Sequence, residues 1–486
     1  MRTPAPSRLA ADLAFSRAAG APLVGGNAVR LLVDGAENYP AWLEAIAAAE
    51  RFVHFESYVI HDDHTGALFV EALAARARAG VKVRIIYDWF GAVGATPRAF
   101  WYPLEDAGVE VRVVNPPSPW RPFAWLSRDH RKMLAVDGRV AYVSGLCVGE
   151  AWVGSTTAAP WRDTGVEIQG PAVAGVHAQF DEIWRTLGTP LPADERPKRA
   201  ALPPRGSVAL RVIGSRPADA AMMRLDTAVA GLARQRLWIT DAYFVGVPGH
   251  VQALTSAAAD GVDVRLLVPG ESDLPWVRSF SRAGYRGLLA GSVRVFEWNG
   301  PMLHAKSAVA DGRWSRVGSS DLNLQSWMAN WELDVAIEDP AFGAQMERLF
   351  VRDLGNSTEV VLHSRRIHRS GHASGESEPG SAAPDGGGAP RRRTRRGDAS
   401  GRAAASALRI GHTVGAALTA TRPLGAAEAP TLAVGGGLLV VLGAVAAWEP
   451  ALLAYPVAAA GAWVGVTLLW AAWRATRPPQ DQNPPG

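Results

Sequence analysis

The chain has 486 residues, more than one ordinary domain holds, so two or three folded units are expected. Hydrophobic residues make up 48% and charged residues 20%, enough apolar material for large cores, which excludes disorder throughout. A net charge of +4 gives no argument for a nucleic-acid partner, and the single cysteine, Cys147, excludes an intrachain disulfide or a multi-cysteine metal site.

Residues 1–21 do not read as a signal peptide, because Asp12 and Arg17 interrupt any apolar stretch; a short helical arm packed on the body is expected. A first body spans 22–188. Strand-like runs at 51–60 (RFVHFESYVI), 80–90 (GVKVRIIYDWF) and 108–114 (GVEVRVV) alternate with helical stretches. The cluster His61-Asp62-Asp63-His64 has metal-ligand composition but sits before Thr65-Gly66 and reads as a polar loop. The segment 116–127 mixes Trp120, Arg121, Phe123 and Trp125, a pattern that suits a membrane interface or packing against a second body. Pro and charge mark a break at 189–206.

A second body, 207–355, repeats the first. Its strand-like runs are 236–244 (RLWITDAYF), 261–270 (GVDVRLLVPG) and 291–298 (GSVRVFEW), and Trp276, Arg278 and Phe280 repeat the aromatic-cationic composition. Alternating strands and helices in both bodies predict an α/β fold of two similar sandwich halves.

Residues 364–406 are rich in Gly, Ser, Pro and Arg and predict a basic tether, whose Arg391, Arg392, Arg393, Arg395 and Arg396 suit either solvent or anionic headgroups. The runs 431–448 and 451–473 carry no charge and are long enough to span ~30 Å of hydrocarbon as helices. Glu449-Pro450 between them predicts a membrane hairpin. Arg409, Arg422, Arg474 and Arg477 flank both ends, which places the body on the cytoplasmic side of a cell membrane.

The repeat is sharpest at HRKMLAVDGR from His130 and HAKSAVADGR from His304. Both read H-x-K-x4-D-G-R, and small-residue pairs follow at one offset, Ser144-Gly145 and Gly318-Ser319. The chain holds only four lysines, Lys82, Lys132, Lys198 and Lys306, against 46 arginines, yet two of the four occupy the equivalent motif position. A compact ammonium at that point does what a planar guanidinium does not. In extended backbone the histidine and lysine, two apart, point to one face. Asp137 and Asp311 open an Asp-Gly turn.

The doubled motif resembles the phospholipase D superfamily, and its layout is similar to the cardiolipin synthase branch. The similarity runs over about 22–355 and includes WRDTGVEIQGPAV at 161–173 and NWELDVAI at 330–337. The resemblance implies two phospholipase D-like halves around one shared active site and phosphatidyl transfer through a phosphohistidine. It nominates His130, Lys132, Asp137, His304, Lys306 and Asp311 as the catalytic set, with the two aspartates fixing their turns. His130 is implied as nucleophile and His304 as acid and base, an order the symmetry of the repeat leaves open. Asp163 is expected to orient His130, and Glu332 to orient His304. Ser144, Cys147, Ser319 and Asp321 are the phosphate-binding candidates. Cys147 and Asp321 stand where the family usually has asparagine, and Gln325 where it commonly has arginine.

Neutral imidazole is a nucleophile near pH 7, imidazolium is a proton donor, and lysines supply fixed positive charge, so no metal or other cofactor is called for. The expected partners are an anionic, phosphatidylglycerol-like phospholipid and a bilayer, and no nucleic acid. The implied reaction is transfer to a second phosphatidylglycerol; transfer to water or another alcohol, a superfamily nuclease and an inactive lipid binder are the alternatives.

Overall fold

A computed structural model of the chain describes residues 6–117 and 124–361. The tether expected at 364–406, the hairpin at 431–473, and Trp120, Arg121 and Phe123 lie outside the described residues. Among the described residues no helix is long and apolar enough to cross a membrane.

The first half contributes β1 (Val24–Val33), β2 (Phe52–Ser57), β3 (Lys82–Asp88), β4 (Glu110–Val114), β5 (Met133–Val136), β6 (Val140–Ser144) and β7 (Thr164–Gln169). The second contributes β8 (Val208–Ser215), β9 (Arg236–Thr240), β10 (Asp263–Pro269), β11 (Arg294–Trp298), β12 (Ser307–Ala310), β13 (Trp314–Gly318), β14 (Glu332–Glu338) and β15 (Ser357–Val360). Among the described residues these form one sheet in the order β15-β11-β10-β9-β12-β13-β14-β8-β1-β7-β6-β5-β2-β3-β4. Set β15 aside and the order is the same from either end: β4-β3-β2-β5-β6-β7-β1 matches β11-β10-β9-β12-β13-β14-β8.

Strands β2, β3 and β4 run parallel, as do β9, β10 and β11. Parallel strands need crossover connections, and helices supply them here. Helices His64–Arg78 and Pro248–Ala259 make the equivalent crossovers from β2 to β3 and from β9 to β10. Asp63 caps the first, accepting from the Gly66 N–H at 2.8 Å, and also accepts from the Glu150 N–H. That contact is why the His61–His64 cluster is a loop and helix start.

The halves meet where β1 pairs antiparallel with β8, Val24 opposite Leu210 and Asn27 opposite Val208. Neither strand was expected from the sequence. A core cluster crosses the junction, with Val143, Val166 and Ile168 of the first half packed with Val317, Leu333 and Val335 of the second. Each half keeps a second core of its own. The arm, helix Pro6–Ala19, lies on the second half: Arg211 donates to the Asp12 carbonyl at 2.9 Å, and Phe15 meets Trp314 at 6.4 Å. The proline-rich break at 189–206 is pinned through Glu195, which is buried and accepts from Arg84 at 2.6 and 2.8 Å.

Candidate active site

Each motif turn is built alike. Asp137 and Gly138 have φ of 56° and 70°, and Asp311 and Gly312 have 51° and 62°. Two successive left-handed residues turn the hairpin, and an aspartate tolerates the first position because its side chain bonds nearby backbone. Asp137 accepts the N–H groups of Glu50, Arg51 and Phe52, each at 2.8 Å. Asp311 accepts those of Arg234, Gln235 and Arg236 at 2.8–3.0 Å. The motif aspartates therefore tie the hairpin to the start of β2 or β9, at the far end of the strands from the histidines.

Strands β5 and β12 begin at Met133 and Ser307, one residue after each lysine, so the histidine and lysine sit in the extended segment that enters the strand. That segment is held by the opposite half. Asp129 bridges Trp331, and Arg162 bridges Leu303, both as isolated parallel β-bridges. The His130 N–H donates to the Trp331 carbonyl at 2.9 Å, and the His304 N–H to the Arg162 carbonyl at 2.7 Å.

These bridges set the orienting carboxylates. His130 Nδ1 lies 3.0 Å from Glu332 Oε2, and His304 Nδ1 lies 2.8 Å from Asp163 Oδ2. The expected pairing is corrected: Asp163 serves His304 and Glu332 serves His130. The reason is the bridging, which brings each motif beside the residue that precedes the other half's carboxylate. With Nδ1 engaged in this way, Nε2 of each ring is the nitrogen left for chemistry.

The carboxylates are themselves held. Asp163 accepts from the Trp152 indole at 3.0 Å and the Thr164 N–H at 2.7 Å. Glu332 accepts from the Ser319 and Ser326 hydroxyls at 2.5 and 2.7 Å and from the Asn330 amide at 3.1 Å. Ser319 thus supports a carboxylate instead of binding phosphate. Ser144 is likewise occupied: its hydroxyl oxygen accepts the Leu146 N–H at 3.2 Å.

Both lysines are buried, and each donates from Nζ to the carbonyl of its own histidine. Lys306 Nζ is also 3.0 Å from His304 Nε2 and 3.5 Å from Asp321 Oδ1. Lys132 lies 5.3 Å from the Tyr58 ring centroid, and Lys306 lies 5.1 Å from that of Tyr243. The same tyrosines pack edge-on against His130 and His304 at 5.2 and 5.7 Å. Sequence reasoning passed over Tyr58, Tyr243, Trp152, Ser326 and Asn330. The tyrosines had a signal, since Glu-Ser-Tyr at 56–58 and Asp-Ala-Tyr at 241–243 end the equivalent runs.

Burial, and next the Lys132 ammonium, hold the His130 imidazole well below its ordinary range, and the charges of Lys306 and His304 add to this. Burial and Lys306 likewise lower His304, against the pull of Asp163. Burial raises the Asp163 carboxyl, but His304, Lys306 and Trp152 outweigh it and hold the group below its usual range. Glu332 is raised by burial despite Lys132 and its three donors. Lys132 is lowered by burial, and the Cys147 thiol is raised by it. The two imidazole–ammonium pairs, each acting on the other's ring, are therefore buried together with the carboxylates that hold them, and burial lowers both rings, with Asp163 opposing the shift at His304. Among the described residues no cluster of three or more His, Cys, Asp or Glu side chains is placed to hold a metal. Gln325 donates to the Leu126 carbonyl at 2.9 Å and to Asn330 at 3.1 Å, so it holds the segment leading into the first motif.

Residues 42–184 and 229–354 match the family described as cardiolipin synthase, PLD-like domain. Cardiolipin synthase A of Pseudomonas syringae pv. syringae is 32% identical over 372 residues, 74% of this chain and 76% of its own. Cardiolipin synthase A of Pseudomonas aeruginosa is 32% identical over 363 residues, 73% of each chain. Among solved structures, phosphatidylserine synthase of Haemophilus influenzae superimposes on 72% of this chain and 92% of its own with a TM-score of 0.55. Its identity is 15%, so that likeness is one of fold.

Proposed function

Since this chain belongs to the cardiolipin synthase family with phospholipase D-like domains, we propose that it joins two phosphatidylglycerol molecules through a phosphohistidine on His130. It is a phosphatidyltransferase of the phospholipase D superfamily. His130 Nε2 attacks the donor phosphorus as the P–O bond to the headgroup glycerol breaks. The departing alkoxide takes the Nε2 proton of His304 and leaves as glycerol. His304, now neutral, takes the proton from the hydroxyl of a second phosphatidylglycerol. That oxygen attacks phosphorus, the P–N bond breaks, and cardiolipin leaves.

The observation that carries this reading is the crossed pair of Nδ1–carboxylate contacts, which aims an Nε2 from each half into one site beside two buried ammonium groups. The environments of the two histidines support this order. The His130 side chain is the more open, 12% exposed against 6% for His304, and the more strongly held neutral, as a nucleophile must be. His304 faces Asp163, a carboxylate held ionised, which stabilises the imidazolium that an acid needs. Fixed positive charge from the buried lysines, Lys132 foremost, offsets charge on the phosphoryl oxygens.

A lipid substrate fits the charge-free runs 431–448 and 451–473, read as a hairpin that anchors the enzyme in a bacterial cell membrane with the body on the cytoplasmic face. The test is product analysis of the purified full chain on phosphatidylglycerol vesicles. Cardiolipin and glycerol in equal amounts are expected, lost in His130→Ala and His304→Ala. Phosphatidic acid as the only lipid product would make water the acceptor.

A further inference from the structure

The two halves of the site share one framework around each lysine. Each lysine donates to its own histidine's carbonyl, and each lies by an equivalent tyrosine. Seventeen positions after the motif histidine, however, the first half has Cys147 and the second has Asp321. Both side chains are buried, at 3% and 4% exposure. Cys147 is a neutral thiol in the field of Lys132. Asp321 brings a carboxylate oxygen to 3.5 Å from Lys306 Nζ. Charge at the Lys306 side is thus offset from within, whereas Cys147 offsets nothing at the Lys132 side.

A carboxylate at 3.5 Å from the ammonium is a poor place for a second anion, so phosphate oxygens are favoured at Lys132. What Asp321 does offer is acceptor capacity. Its Oδ1, the oxygen that faces Lys306 Nζ at 3.5 Å, is buried and makes no closer hydrogen bond, although the Asp321 N–H donates to the Ser326 hydroxyl at 3.0 Å. A buried carboxylate oxygen held only by a long ion pair keeps unfilled acceptor capacity, and a ligand that brings an O–H fills it. Two neighbouring hydroxyls are already engaged: Ser326 is committed to Glu332, and Tyr243 donates to Asp273 at 2.9 Å.

We propose that Asp321 and Lys306 form a hydroxyl-receiving subsite, which takes a polyol end of the alcohol acceptor, while Lys132 holds the phosphoryl group. The subsite rests on the phosphatidyl-transfer reading and names what that reading leaves open, the chemistry by which one alcohol is chosen over another. It also breaks the symmetry of the fold. The acceptor enters beside His304, the ring that deprotonates it, and the phosphoryl group stays beside His130.

The test uses the purified full chain on phosphatidylglycerol vesicles with glycerol or 1-propanol added at equal concentration as competing acceptor, with release of labelled headgroup followed alongside. Propanol has the same carbon chain and one hydroxyl, so the ratio of phosphatidylglycerol exchange to phosphatidylpropanol reads glycerol's two further hydroxyls. We expect the wild type to favour glycerol by about tenfold or more, because a site built to pair a hydroxyl discriminates against its absence. Asp321→Asn should bring the ratio close to one and tighten inhibition by inorganic phosphate. A wild-type ratio near one overturns the subsite without any variant, and so does an Asp321→Asn enzyme that keeps the wild-type ratio. If the wild type releases headgroup but makes neither alcohol product nor cardiolipin, phosphatidyl transfer itself fails and the subsite falls with it. Ethanolamine outcompeting glycerol would assign the carboxylate to an ammonium group and overturn the hydroxyl reading.

Discussion

His130 and Glu332 are 202 positions apart in the chain and 3.0 Å apart in space, and the contact crosses from one half of the fold to the other. His304 and Asp163 make the reciprocal contact. Neither half can orient its own histidine, so the repeat has become one catalytic unit. The crossing gives a direct readout. In nitrogen NMR of the imidazoles, Glu332→Gln should move the His130 signals and leave His304 near its wild-type position, and Asp163→Asn should do the reverse. Each change should lower kcat by about 10²–10⁴-fold, because the carboxylate fixes the tautomer and orientation of an active imidazole. Within-half coupling of the signals would contradict the geometry.

Lys132 and Lys306 are 1% and 0% exposed, whereas Lys82 and Lys198 are exposed. A guanidinium is larger and planar and does not fit where a three-donor ammonium bonds a carbonyl at the base of the site. Lys132→Arg and Lys306→Arg are therefore expected to lower kcat/KM about 10²–10³-fold with charge retained. Lys82→Arg and Lys198→Arg should be silent in both activity and melting temperature. Wild-type rates for Lys132→Arg would show that only the charge matters there.

Much of this was legible in the sequence. The motif histidines and lysines recur at one offset, β2 and β9 are apolar-rich runs, and β3 and β10 follow Gly80 and Gly261, all local signals. The pairing of carboxylates was not legible. Asp163 and Glu332 follow the motifs of their own halves, and spacing invites a within-half assignment; the true partners are chosen by bridges at Asp129–Trp331 and Arg162–Leu303, which are non-local. Strands β1 and β8 were missed for a related reason: what defines them is the junction they form with each other, and they fall outside the motif spacing. Ser319 looked like a phosphate ligand because a hydroxyl beside glycine suits one; its partner Glu332 lies on the neighbouring strand β14.

Asp137 belongs to the motif by spacing, yet its oxygens are spent on three backbone N–H groups and on Arg139 at 2.9 Å. Asp137→Ala removes those acceptors and leaves alanine at φ 56°. The expected loss is about 2–4 kcal/mol of stability. Asp311→Ala should cost less, since the Arg234 and Gln235 N–H groups it binds lie at an exposed turn and can turn to water. In both, kcat per folded molecule at low temperature should stay within about threefold of wild type. Urea denaturation together with active-site titration separates the two effects; a large fall in kcat with unchanged stability would return the aspartate to the chemistry.

The last prediction concerns acid. His54 and His177 are buried on the inner side of the first half with their Nδ1 atoms 2.9 Å apart, an arrangement that needs one ring to donate and the other to accept. Glu195 and Arg84 lie beyond His54, with Asp181 also bearing on it. Burial lowers both rings below their ordinary range, His177 the more strongly, with His54 adding to its shift. A group lowered in this way binds fewer protons folded than unfolded, so stability rises with pH and is lost as pH falls below about 6.5, the unfolded value. The loss continues until the folded pKa is reached, at no more than about 1.4 kcal/mol per pH unit per ring. Glu195, held at about 2, stays ionised through this window and gives up its contribution only below the usual carboxylate range, so the two effects separate. His250, pushed to about 4, adds to the histidine window, as do His130 and His304. Denaturant melts at pH 7.5, 6.5 and 5.5 should therefore show falling stability, and His177→Gln should make the fall shallower by up to one ring's share. An unchanged slope in His177→Gln would mean that this pair takes up no proton on unfolding, and the buried imidazole contact would carry no acid sensitivity.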